Sequence, residues 1–155
     1  MSLISRHFSI DDFRCKDGTR YPIGWEDDRL QLLANMMDAI RDQMGEAIVV
    51  VCGYRTLAYN KALREESLRR NGGTSGVAIH SQHTEGRAAD IRPLKANQVN
   101  IATLHDVTLQ MYADGKIPEL GGLGYYRGLW IHVDTRPKAD GQLVRWDGSG
   151  TGQDK

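Results

Sequence analysis

Two short stretches place polar side chains where strands ordinarily carry apolar ones. In residues 81–91, SQHTEGRAADI, Asp90 sits inside an apolar run that continues into Ile91. A carboxylate in a buried strand is costly unless a partner compensates it. In residues 129–135, LWIHVDT, strand alternation puts Trp130, His132 and Asp134 on one face, with Ile131 and Val133 on the other. Ile131 and Val133 read as core, so the opposite face presents an imidazole and a carboxylate side by side. Two imidazoles and one carboxylate are a natural ligand set for Zn²⁺, with the fourth position left to water. His83, Asp90 and His132 are therefore the candidate ligands of one zinc per chain. Gly86 lets the chain turn between the first two, and Ala88 and Ala89 keep the approach uncrowded. The residues alone leave a second reading open, in which Asp90 pairs with Arg87 or Arg92. His7 and His105 default to structural roles, and His80 is placed nearer the periphery or the surface than among the ligands.

These side chains need a scaffold, and the chain is long enough to provide one. Its 155 residues suit one domain, with a core expected over about residues 7–146 and a loose C-terminal tail, GSGTGQDK. Lys plus Arg and Asp plus Glu both number 20, so the net charge is zero and the basic footprint of a nucleic-acid binder is missing. Mean hydropathy is −0.49, and no apolar run approaches the roughly 20 residues of a membrane-spanning helix. The opening MSLISRHFSIDDF shows no apolar signal-peptide core. The two cysteines, Cys15 and Cys52, are too few for a disulfide scaffold, and free thiols are favoured over a bond between them.

Periodicity supplies the elements. Asp27–Met44 carries Leu30, Leu33, Met37, Ile40 and Met44 at helical spacing, with Gly45 as the stop. Ala47–Val51 reads as a buried strand, and Thr56 caps a helix running towards Arg70. Arg87–Ile91 is a strand ending at Pro93, and Asn97 caps a helix through Ile101, Leu104 and Tyr112. Leu123–Tyr126 and Leu129–Thr135 form a hairpin across Arg127-Gly128. The pattern predicts an α+β fold: a small, mostly antiparallel sheet flanked by helices.

SQHTEGRAADI follows the S-x-H-x-x-G-x-A-x-D pattern of the zinc D-Ala-D-Ala carboxypeptidase and peptidoglycan endopeptidase family, whose fold is shared with hedgehog signalling domains. LWIHVDTR resembles that family's aromatic-x-His-x-Asp strand, and GGLGYY resembles the strand before it. CGYRTLAYN is similar to its Ser-Gly-Tyr-Arg segment, and HFSIDDFRCKDGTRYP resembles the start of its single-domain, carboxypeptidase-like branch. The resemblance spans about His7 to Trp146. It implies a zinc peptidase, D,D-carboxypeptidase or endopeptidase, acting as a monomer on peptidoglycan stem peptides at the cell wall, whether bacterial or as a phage lysin. His83, Asp90 and His132 would bind the metal, with Arg55 in the active site. A guanidinium can hold an oxyanion or a substrate carboxylate; taken alone, Arg55 would read as a surface ion pair.

One position departs from the family pattern. Where many members carry an acidic general base, three residues before the last histidine ligand, this chain has Leu129, and Trp130 follows. Asp134 is the first substitute, because it shares the face of His132; Glu85 and His80 come next. Asp134 would serve equally as a carboxylate that orients His132 from outside the ligand shell. Ser81 bonds locally or orients a ligand, and Tyr125 and Trp130 are candidate walls of a substrate groove. Leu129 also keeps a different reading in play, a non-catalytic, zinc-containing module that binds wall or protein.

Overall fold

The computed structural model describes residues 2–73 and 75–148. Among the described residues, five strands form one sheet: β1 (Ile48–Cys52), β2 (Ala88–Pro93), β3 (Gly122–Tyr126), β4 (Trp130–Asp134) and β5 (Val144–Asp147). Their order is β1-β2-β4-β3-β5, with every pairing antiparallel except β3 with β5. The α+β architecture expected from the periodicity is the one observed.

Among the described residues, three α-helices accompany the sheet: α1 (Gln31–Met44), α2 (Leu57–Arg70) and α3 (Gln98–Ala113). Thr56 caps α2 by accepting from the Tyr59 amide, and Asn97 caps α3 by accepting from Asn100, which reciprocates. α1 ends at Gly45 in the left-handed conformation, as its stop signal requires. Its entry differs from the expected start at Asp27. A π-turn over Glu26–Leu30 leads into it, and the polar string EDDRL gave no periodic signal of that change.

α1 and α3 supply Leu33, Ala34, Met36, Met37, Ile40, Ile101, Leu104 and Met111 to one buried cluster with Ala89, Ile91, Leu123, Ile131 and Val133 from the sheet. That burial is the main favourable term holding the sheet to its helices. The N-terminal segment is tied to α1 by Asp38, a buried carboxylate that accepts from Ser5 Oγ at 3.0 Å and from the Arg6 and His7 amides at 3.0 and 3.1 Å. His7 itself reaches Asp42 at 2.9 Å, a structural role.

The sheet's other face carries the polar side chains. Asp90 stands opposite both Cys52 and His132, His132 opposite Gly124, and Gly124 opposite Trp146. One row perpendicular to the strands thus crosses the whole sheet. Both cysteines are free thiols. β5 was not foreseen as a strand, and the residues of the C-terminal tail after 148 lie outside the described residues.

Candidate metal centre

His83 enters the site on the loop between α2 and β2. Ser81, fully buried, shapes this loop: its hydroxyl accepts the His83 amide at 3.1 Å, and its carbonyl accepts from Thr84. The loop then turns at Gly86, whose φ of +67° suits glycine. A Cβ there would lie 2.6 Å from both the Trp25 ring and the Tyr21 hydroxyl, which donates to the Gly86 carbonyl. Asp90 and His132 face each other in register on β2 and β4.

His83 Nε2 and His132 Nδ1 each lie 3.3 Å from the same oxygen, Asp90 Oδ1. The far side of each ring is engaged. His83 Nδ1 donates to the Gly53 carbonyl at 2.7 Å, and His132 Nε2 donates to Asp134 Oδ2 at 2.7 Å. Those outer acceptors fix the tautomers, turning a proton-free nitrogen of each ring towards Asp90. Asp90 Oδ1 and His132 Nδ1 are buried and take no hydrogen bond among the described residues. With both rings neutral, their inward lone pairs and the carboxylate would converge on a point suited to a cation. Two donors each about 2.0–2.1 Å from a tetrahedral zinc would stand roughly 3.3–3.4 Å apart, so the spacing fits. Burial opposes ionisation of Asp90, and the two imidazoles outweigh it, holding the carboxyl below its ordinary range.

Cys52, His83 and Asp90 also cluster closely enough to hold an ion. The Cys52 sulfur, however, lies 3.8 Å from His83 Nδ1, the nitrogen already bonded to Gly53. It stands on the outer side of the ring, so His132 completes the better donor set.

Asp134 is fully buried and held from two directions. Besides His132, it accepts from the Arg136 amide at 3.0 Å and from its guanidinium at 2.6–3.1 Å. Burial alone would raise its carboxyl; these hydrogen bonds overcome that and hold it below the ordinary range. It meets His132 at Nε2, on the opposite side of the ring from Asp90.

Arg55 is 3 % exposed, not a surface residue. Its Nη1 donates to Asn60 Oδ1 at 3.2 Å, and its Nη2 lies 4.0 Å from Asp90 Oδ2. Trp130 is half-buried at the edge of the same face and packs near Tyr126. Tyr125 needs correcting as a groove wall. It pairs with Ile131 and stacks on His105 of α3 at 4.7 Å, which places it on the helix-covered face. Strand alternation applied to GLGYY would have shown this. Ser81 is fully buried within the His83 loop, where it bonds locally.

Two participants were missed. Arg136, two residues beyond Asp134, donates to it and balances its charge. Trp146 of β5 packs against the His132 ring, centroids 4.9 Å apart, and donates from Nε1 to the Tyr126 hydroxyl at 2.9 Å. Gly124 makes room for it, since a Cβ there would come within 2.6 Å of the indole.

Fold and site together define a class: an α+β sheet protein that gathers His83, Asp90 and His132 on the side of the sheet opposite the one packed on α1 and α3. The signature of the M15 peptidase family described as peptidoglycan L,D-endopeptidase MepK matches residues 10–140, and the chain belongs to that family of peptidoglycan peptidases. No curated protein shows significant similarity to the chain.

Proposed function

We propose that this protein is a zinc-dependent peptidase that cuts a D-amino-acid-containing bond within peptidoglycan stem peptides, acting as an endopeptidase at the cell wall. The observation that carries the reading is the convergence of His83 Nε2 and His132 Nδ1 on Asp90 Oδ1, each at 3.3 Å. The family's description as an L,D-endopeptidase favours an internal bond over the terminal one a D,D-carboxypeptidase removes.

His83, Asp90 and His132 would hold the zinc. Bound there, zinc would polarise the scissile carbonyl and make water acidic enough to attack near neutral pH. The chain's own residues do the rest. Asp134 keeps the proton of His132 on Nε2 and so keeps Nδ1 available, with Arg136 holding the carboxylate in place. The Gly53 carbonyl does the same for His83. Arg55 brings a fixed positive charge beside Asp90, where it can stabilise negative charge developing on substrate. Leu129 and Trp130 carry no basic atom. With Asp134 committed to the outer side of His132, the proton acceptor is sought among exposed groups, His80 and Glu85 first; Glu85 stands 3.9 Å from Arg29.

Purified peptidoglycan digested with and without a chelator tests this, with mass spectrometry of the muropeptides released. Internal cleavage abolished by chelation is expected. Loss of only a terminal D-alanine would replace the endopeptidase reading with the carboxypeptidase one. Binding without turnover would favour the non-catalytic module. Elemental analysis should find one zinc per wild-type chain and a strong loss in His83→Ala and His132→Ala; normal zinc in both variants would refute the ligand set.

A further inference from the structure

The exposed side of α2 begins one contact away from Arg55. Leu57, Lys61 and Arg64 recur at helical spacing along it and, with Asn60 and Ile79, line a groove of about 300 Å³. Its walls are unusual for a solvated helix: Leu57 is 75 % and Ile79 62 % exposed. Asn60 forms the floor. It is buried, accepts from Arg55 Nη1 at 3.2 Å and donates to the Ala78 carbonyl at 3.0 Å. The loop that carries Ile79 is therefore pinned to the same side chain that steadies Arg55, and Arg55 reaches Asp90 at 4.0 Å.

The charges here are of one sign. Further along α2, Arg69 and Arg70 both pair with Glu66. Lys61 and Arg64 have no carboxylate partner among the described residues. Two uncompensated cations between two exposed apolar side chains suit an extended peptide that carries a carboxylate on one side and aliphatic carbon on the other. Peptidoglycan stem peptides are of that kind, combining short aliphatic residues with residues that bear free carboxylates.

We propose that this groove is a substrate subsite in which Lys61 and Arg64 bind a free carboxylate of the stem peptide while Leu57 and Ile79 pack against its aliphatic part. The inference rests on the peptidase reading and adds a determinant of substrate choice: a stem peptide with its carboxylates free is preferred over one with them amidated.

Steady-state kinetics of the zinc-loaded protein on one muropeptide, supplied as free acid and as carboxamide, test it. Wild type should show the lower KM on the free acid. Reversing both charges in Lys61→Glu/Arg64→Glu should raise KM for the acid about tenfold or more and leave the amide little changed. Lys61→Gln/Arg64→Gln should lie between and serves if the reversed variant folds poorly. Equal KM values for the two substrates in wild type, or an unchanged acid KM in the variants, would overturn the subsite. If wild type turns over neither substrate, the peptidase reading fails instead. Calorimetry of the two muropeptides with metal-free protein then decides the subsite: acid-selective binding lost in the variants upholds it, and charge-independent binding overturns it.

Discussion

Asp134→Asn separates a positioning carboxylate from a catalytic base with almost no change in shape. In wild type, Oδ2 accepts from His132 Nε2 and Arg136 Nη2, while Oδ1 accepts from the Arg136 amide. The substituted amide has one acceptor and one donor end. Placed at Oδ2, its NH₂ faces two donors; flipped, it faces the Arg136 amide and Nε. Breaking a buried ion pair typically costs about 3–5 kcal/mol. The Arg136 side chain is 18 % exposed, so solvent softens the loss to about 2–3 kcal/mol. At roughly 2–4 °C per kcal/mol for a chain of this size, the metal-free Tm should fall by about 4–12 °C. His132 meanwhile loses the acceptor that keeps its proton on Nε2. Zinc affinity should drop about 10- to 100-fold, or roughly 1.4–2.7 kcal/mol. Chelator competition measures the second number and calorimetry of the metal-free protein the first. Wild-type zinc affinity with turnover abolished would make Asp134 a base, and unchanged affinity with unchanged Tm would refute the positioning argument outright.

Other perturbations have equally definite outcomes. Arg55→Lys keeps the charge but not the planar fork, so turnover should fall on the order of 100-fold or more at normal zinc content; near-wild-type rates would leave Arg55 a packing role. Trp146→Ala removes the ring lying on His132 and should weaken zinc binding more than Trp146→Phe does, and identical chelator competition for the two would disprove the contact's importance. Gly86→Ala forces a side chain into a left-handed turn against Trp25 and Tyr21; a loss above the roughly 1–2 kcal/mol of the backbone effect alone is expected in denaturant unfolding. The Asp17 carboxyl, which accepts from the Thr19 amide and also from Thr56, is held down to about 2. Its folded pKa is depressed, so its contribution is complete above the unfolded value near 4 and fades as pH falls towards 2. An NMR titration of Asp17 with a midpoint near 4 would contradict this.

Much of this architecture is legible in the residues because local signals and burial agree there. α1 follows its apolar stripe, β1 its β-branched run, and α2 and α3 start at the side-chain caps Thr56 and Asn97, while the LWIHVDT alternation places His132 and Asp134 on one face. Misses occur where the signal is tertiary. β5 is exposed along most of its length, so no alternation marks it; the Asp140-Gly141 turn before Leu143 and Val144 was the only hint. Tyr125 was assigned by residue type when its register position beside Ile131 should have decided. Arg136 is invisible as a partner because nothing in a linear chain says which charge a buried carboxylate will meet.

The row that runs from Cys52 through Asp90, His132 and Gly124 to Trp146 makes the site a property of strand register. Sliding β4 by one residue against β2 would set Asp90 beside Ile131 or Val133 and turn His132 into the apolar layer. No loop adjustment could restore the donor set after such a slip. Length changes are therefore tolerable between the strands, as in the glycine-rich stretch after α2 or the turn before β5, and ruinous within them. If the proposed ligand set holds zinc, a single inserted residue in β2 or β4 would erase metal affinity even in a chain that still folded, and zinc uptake would double as a gauge of correct pairing during refolding.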